Sequence, residues 1–158
     1  MANPISAGLL AYRGAPDGTE FLLVHPGGPF WKDRDAHAWS VAKGEYGPDE
    51  EALDAAEREF AEELGITAPA GPRIDLGEVR QSSGKVVRAW AVEVDDLPAG
   101  AVVSNTFELE WPPRSGVLQA FPEVDRAEWM TVDEARGRLV RAQVAFLGRL
   151  VDLVDGSG

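Results

Sequence analysis

The chain has 158 residues, 15 Lys and Arg against 27 Asp and Glu, a formal net charge of -12 and no cysteine. That length suits one domain with a buried core, and the missing cysteines exclude disulfides, zinc–thiolate sites and cysteine nucleophiles. So acidic a surface repels nucleic acid and anionic membrane; it also repels a free polyphosphate, so a phosphate substrate is expected to arrive with its cation. The two histidines, His25 and His37, show no repeated spacing, which excludes a histidine-rich metal site. No apolar run is long enough to span a membrane, and the N-terminus lacks the basic start and apolar core of a signal peptide, so a cytoplasmic protein, monomeric or homodimeric, is the expectation.

In chain order, residues 5–13 read as a mostly buried strand, 14–18 as a turn and 20–25 as a second strand, together a hairpin. Residues 26–31, PGGPFW, are a loop by composition. Phe30 and Trp31 either stack on a nucleobase or plug the end of the core. A polar connection over 33–38 leads to a short strand, 39–43, and then to a helix. Asp49 is its expected N-cap, with Glu50 and Glu51 suited to the positive end of the helix dipole. Leu53, Ala56, Phe60 and Leu64 form its buried stripe, and Gly65 follows as a C-cap glycine.

Residues 67–72 are a Pro-rich loop. Residues 74–81 and 85–94 read as a hairpin around Ser82, Ser83 and Gly84, with alternation in VVRAWAVEV supporting the second strand. Arg80, Lys85 and Arg88 make a small basic group that either meets a substrate phosphate or pairs with the acidic surface. Residues 95–100 are a loop. Residues 107–111 alternate like an edge strand stopped by Pro112 and Pro113. Trp111 and Arg114 are candidates for base stacking and phosphate contact, with a core tryptophan on an edge strand as the alternative. A loop over 121–125, a strand over 125–131, a short helix over 132–139 and a final helix over 143–154 complete the chain, with a frayed end over 155–158. There is no internal repeat and no long linker, so the order implies a single α+β domain over residues 1–158.

The chemistry concentrates in residues 44–66. Glu59, Glu62 and Glu63 stand at i, i+3 and i+4, which gathers them on one side of a helix. Lys43 and Arg58 are the only basic residues nearby and cannot neutralise all three. Glu59 and Glu63 flank the buried stripe, and Glu62 lies further toward solvent. An acidic surface helix is the bland alternative. A divalent cation resolves the repulsion, and Mg²⁺ takes such oxygen ligands together with substrate phosphates.

This stretch resembles the Nudix box, Gly-x5-Glu-x7-Arg-Glu-U-x-Glu-Glu-x-Gly-U, with U a bulky apolar residue. Gly44, Glu50, Arg58, Glu59, Phe60, Glu62, Glu63, Gly65 and Ile66 fill every defined position in register, which is far more specific than a lone glycine motif. The resemblance implies an α/β/α sandwich around a mixed sheet and a Mg²⁺-dependent (Mn²⁺ possible) hydrolase of nucleoside diphosphate-linked compounds. By the same resemblance Glu59, Glu62 and Glu63 would bind metal, with the Lys43 carbonyl as a further ligand. Arg58 would pair with Glu50 or Glu59 and hold the loop–helix geometry. Ala42 stands where the family usually has proline.

A further carboxylate outside the box often serves as base in this family. Glu123 is the candidate, with Glu108 and Glu110 as rivals. The spacing of the chain looks most like the diadenosine tetraphosphate hydrolase branch, which implies asymmetric cleavage of dinucleoside polyphosphates. Nucleoside triphosphates and nucleotide sugars are the alternative substrates, and a non-catalytic nucleotide-binding module or an interaction protein the alternatives of another class.

Overall fold

The computed structural model describes residues 5–15, 18–95 and 106–155. Strands β1 (Ile5–Ala15) and β2 (Gly18–Pro26) form the expected hairpin, with pairing that runs to Ala15↔Gly18. β3 (Ala42–Glu45), α1 (Ala52–Leu64), β4 (Ile74–Arg80) and β5 (Val86–Glu93) follow, then β6 (Thr106–Glu110), β7 (Leu118–Pro122), β8 (Val124–Thr131), α2 (Val132–Arg138) and α3 (Val144–Asp155). Past Asp95 the expected loop over 95–100 lies outside the described residues, and α3 continues through Asp155, beyond which the expected frayed end does too.

The main sheet runs β4-β5-β1-β2-β8, with β3 also on β1. Among the described strands of this sheet, β1 and β5 pair in parallel and the other strand pairs are antiparallel. β2 holds the far half of β1 through Tyr12↔Phe21, and β3 holds the near half, from Ser6↔Glu45 to Leu9↔Ala42. β3 is thus wedged where β2 has left β1.

Period-2 alternation divides the core into two layers. Leu10, Tyr12, Phe21 and Leu23 face α2 and α3 and meet Leu139, Phe146, Leu147 and Leu150. Ala7, Leu9, Ala11, Leu22 and Val24 face α1 and meet Ala55, Ala56, Phe60 and Leu64. The result is the α/β/α sandwich expected from the resemblance. No helix of the described residues is long and apolar enough to cross a membrane.

Four expectations are corrected. The N-cap of α1 is Glu51, not Asp49, and it makes no side-chain cap bond. The reason is that Gly47 to Glu50 close a turn, Glu50 N donating to Gly47 O at 3.2 Å, while Arg58 holds the Glu50 carboxylate. The strand expected over 39–43 is displaced: Trp39 and Ser40 make only single bridges, to Leu139 and Val24, and the ladder begins at Ala42. Residues 107–111 are not an edge strand of the main sheet. They pair with β7, in a segment expected as loop in part, to make a separate two-stranded ribbon. Finally, Phe30 and Trp31 plug nothing, being 61% and 39% exposed; the aromatic core residue of this region is Trp39, at 0%.

The caps of the helices are otherwise local chemistry. Gly65 takes the left-handed conformation (φ 72°) and its N–H donates to Ala61 O at 2.8 Å. Thr131 and Glu134 form a reciprocal capping box at the start of α2.

Candidate active site

β3 brings the chain to Gly44 beside the middle of α1. A Cβ at Gly44 would lie 2.1 Å from Glu59 Cδ and 2.2 and 2.4 Å from its two oxygens. Only glycine leaves room for that carboxylate against the strand backbone.

Arg58 ties the acids together. Its Nε and Nη2 donate to the two oxygens of Glu50, each at 2.8 Å, in a bidentate fork. Its Nη1 donates to Glu59 Oε1 at 2.7 Å and to Glu62 Oε2 at 3.1 Å. The expected partners, Glu50 or Glu59, are therefore both engaged, and Glu62 with them. The Arg58 hydrogen bonds hold the Glu50 carboxyl below the usual carboxylate range. Burial pushes the Glu59 carboxyl up, against the pull of Arg58, with Glu62 and Glu123 adding to the rise.

Glu63 is held by the other wall. Its Oε1 accepts the Lys43 backbone N–H at 2.8 Å. Burial pushes its carboxyl up to about 8; Lys43 opposes the rise, and Glu59 and Glu123 reinforce it. Burial, and next Lys85, lowers the Lys43 ammonium.

Lys43 and Glu63 line a cavity of about 230 Å³ together with Glu123, Trp31, Ser40 and Gln81. Glu123 therefore shares a cavity with a box acid across a wide sequence separation. Burial, and then the charge of Glu62, raises its carboxyl. Its rivals stand elsewhere. Glu108 and Glu110 alternate with Phe107 and Leu109, so they lie on the opposite face of the ribbon, and Glu110 Oε1 accepts Gly116 N–H at 3.1 Å.

No three acidic or histidine side chains among the described residues already converge as a ligand cluster. Glu59 and Glu62 are turned to Arg58 and Glu63 to the β3 backbone, each through one oxygen. The second oxygens of these carboxylates, with the Lys43 carbonyl, are the hard donors that suit Mg²⁺. The slot over Gly44, which a Cβ would fill, keeps the Glu59 carboxylate against that backbone.

None of the remaining site candidates lines this cavity, although Lys85 is near enough to the Lys43 ammonium to lower it. Lys85 Nζ lies 3.8 Å from Glu45 Oε2, Arg88 Nη2 lies 3.1 Å from Asp75 Oδ2, and Arg80 Nη1 donates to Gly84 O at 3.3 Å. Trp111 lines a second cavity beside the ribbon, and Arg114 stands in the turn between β6 and β7 at φ 63°.

Two polar residues near the site, Gln143 and His25, had no role from the sequence. Buried Gln143 donates through Nε2 to Ser40 Oγ and Gln81 Oε1, both at 3.1 Å, and accepts Val41 N–H at 3.0 Å, which stiffens the cavity wall. His25 is buried between Asp125 (Nδ1–Oδ1 2.8 Å) and the Arg34 carbonyl (Nε2–O 2.6 Å), which fixes the loop after β2 to β8. The alternation Phe21, Leu23, His25 points His25 at the core and was the available signal; Gln143 carries none.

Several solved structures share the fold. The Ap4A hydrolase of C. elegans, in a binary complex, is 21% identical with a TM-score of 0.66, covering 97% of this chain and 98% of that chain. The NUDIX domain of Shewanella oneidensis NrtR, complexed with ADP ribose, is 13% identical with a TM-score of 0.67, covering 98% and 90%. The C-terminal domain of mouse MUTYH, in complex with human PCNA, is 21% identical with a TM-score of 0.62, covering 97% and 90%. No functionally curated protein matches the sequence. The NUDIX domain model matches residues 3–150, so the chain belongs to the NUDIX family, and that membership supports pyrophosphohydrolase activity.

Proposed function

We propose that the protein is a Mg²⁺-dependent hydrolase that cleaves a diphosphate linkage in a nucleoside diphosphate-linked compound, and that its substrate is a dinucleoside polyphosphate cut asymmetrically. The observation that carries this is the crowding of Glu59, Glu62, Glu63 and Glu123. Burial and mutual repulsion raise three of their carboxyls, with Arg58 as the one guanidinium bonded to the box acids among the described residues. Such a set carries more negative charge than the protein offsets, and a hard cation completes it.

In this proposal Glu59, Glu62, Glu63 and the Lys43 carbonyl hold the metal, which supplies charge neutralisation for the phosphates and activation of water. Arg58 keeps Glu59 and Glu62 on one side of the helix. Glu123 accepts the proton of the attacking water, from the cavity that it shares with Glu63. The Gln143 network holds the wall formed by Ser40 and Gln81, and Trp31 covers the rim. The reading includes one domain over residues 1–158 and a cytoplasmic location, and the formal net charge of -12 favours a small-molecule partner over nucleic acid or membrane.

The C. elegans Ap4A hydrolase supports the dinucleoside substrate. A nucleotide sugar is the second reading, supported by the Shewanella NUDIX domain complexed with ADP ribose. The test is incubation with Mg²⁺ and a panel of diadenosine polyphosphates, nucleoside triphosphates and nucleotide sugars, with products identified by chromatography. ATP and AMP from diadenosine tetraphosphate are expected. Cleavage of a nucleotide sugar in preference overturns the substrate, and cleavage of nothing favours a binding module.

A further inference from the structure

The ribbon formed by β6 and β7 is seated on the rim of the candidate active site by two glycines. A Cβ at Gly27 would lie 2.0 Å from Pro122 O, and Gly27 N donates to Glu123 O at 2.9 Å. A Cβ at Gly28, itself at φ 98°, would lie 2.9 Å from Phe107 Cζ. A side chain at Gly27 would collide with the ribbon backbone, and one at Gly28 would displace the Phe107 ring. Flush seating places the aromatic face of the ribbon against that loop, because Phe107, Leu109, Gln119 and Phe121 share one face through the pairs Phe107↔Phe121 and Leu109↔Gln119.

Between ribbon and loop lies a cavity of about 370 Å³, lined by Trp111, Phe121, Gln119, Lys32, Pro122 and Asp125, with Gly28 and Pro29 beneath. It shares a wall one chain thick with the cavity of Glu63. Glu123 and Val124 face the one, and their neighbours Pro122 and Asp125 face the other. Trp31 lines the first and Lys32 the second. The Glu63 cavity, at about 230 Å³, falls short of the roughly 300–1,000 Å³ of pockets that enclose a drug-sized ligand. A large substrate therefore extends beyond it, and the ribbon cavity is where the shared rim leads.

The ribbon cavity offers what a nucleobase takes. Phe30 meets Trp111 edge to face at 5.5 Å, which props the indole. Gln119 Nε2 donates to Trp111 O at 2.6 Å, so the Gln119 carbonyl oxygen is left to accept from an exocyclic amine. Lys32 has no ion pair among the described residues and stands on the rim between the cavities, where a phosphate chain would cross. We propose that the ribbon cavity binds the aromatic heterocycle at the far end of the substrate, as a subsite separate from the cavity of Glu63. This rests on the dinucleoside reading above and assigns residues to the second nucleoside.

The test compares wild type with Trp111→Ala and Trp111→Phe, in Mg²⁺, on diadenosine tetraphosphate and on ATP. Stacking a base on an aromatic ring is worth about 1–3 kcal/mol, so Trp111→Ala is expected to raise KM for the two-headed substrate roughly 5- to 150-fold with kcat nearly kept. KM for ATP is expected to stay put, and Trp111→Phe to recover most of the loss. Equal losses on both substrates, or no loss on the first, overturns the proposal, as does an equal loss accompanied by a change in molecular mass, which would assign the ribbon to contact between copies.

Equilibrium binding of a methylene-bridged diadenosine tetraphosphate and of the matching ATP analogue decides the matter independently of turnover. Wild type is expected to prefer the two-headed ligand, and Trp111→Ala to lose that preference. Absence of the preference in wild type overturns the proposal even if hydrolysis is observed. Its presence without hydrolysis leaves the ribbon site standing while the hydrolase reading falls.

Discussion

Gly44→Ala is the most informative single change in the box. The new Cβ would stand 2.1 Å from Glu59 Cδ, and ordinary contact begins near 3.4 Å, so the carboxyl must retreat by about 1.3 Å. The carboxyl is the far end of a side chain, so it can swing away without unfolding the helix. The swing breaks its 2.7 Å bond from Arg58 Nη1. A hydrogen bond between charged groups contributes about 1.5–3 kcal/mol, less at a partly exposed pair, so about 1–2 kcal/mol is the expected loss here. For a chain of this size that lowers Tm by about 2–8 °C.

Function suffers far more, because a displacement of about 1 Å in a reacting geometry costs about 10²-fold. The assay pairs thermal melting with turnover of diadenosine tetraphosphate in Mg²⁺. A folded Gly44→Ala protein with near-normal turnover would refute the argument that Glu59 works from its seat against Gly44. A protein that fails to fold would refute the argument that the carboxyl can yield.

Three further changes follow from the same geometry. Glu63→Gln is expected to abolish turnover while the protein stays folded. It is also expected to remove a pH dependence: the Glu63 carboxyl titrates at about 8 in the fold against 4.5 ordinarily, so its contribution is fully present below 4.5 and is lost as pH rises through about 8. The metal-free wild type should therefore lose Tm over that window and the variant should not; parallel melting profiles would count against a shielded Glu63. Glu123→Gln is expected to slow turnover by at least about 10²-fold, with the acid limb of the wild-type profile lost; near-normal rates would return attention to Glu108 or Glu110. His25→Phe leaves Asp125 and the Arg34 carbonyl without their partner and is expected to cost about 1–3 kcal/mol; an unchanged Tm would show that the loop after β2 is held by other contacts.

α1 was legible because it has one buried face: Phe60 and Leu64 repeat at helical spacing, and Gly65 ends the helix with a positive φ. β5 is buried on both faces, with Val87, Ala89 and Ala91 in one layer and Trp90 and Val92 in the other, and was legible as a short apolar run. The register of Gly44, Arg58, Glu59, Glu62 and Glu63 was legible because the chemistry needs those residue types at those offsets. The ribbon was half legible. β7 lies mostly exposed on both faces, so its alternation has nothing to report, and its partner could not be told from an edge strand.

The start of α1 was misplaced because Asp49 satisfies the local capping rule, whereas Arg58, eight residues beyond Glu50, decides where the turn ends. Gln143 meets Ser40 across a separation of 103 residues, which no local pattern encodes. The capping box at Thr131 and Glu134 has its signal in the sequence as Thr-x-x-Glu, a signal the sequence reading of the helix over 132–139 did not use.

Magnesium dependence at the box acids is tested most directly by following diadenosine tetraphosphate by chromatography with wild type and Glu63→Gln in parallel, in Mg²⁺ and in EDTA. Conversion to ATP and AMP by wild type in Mg²⁺ alone, with none by the folded variant, is the expected result. Equal turnover in EDTA, or by the variant, would contradict a metal-dependent site on Glu59, Glu62 and Glu63.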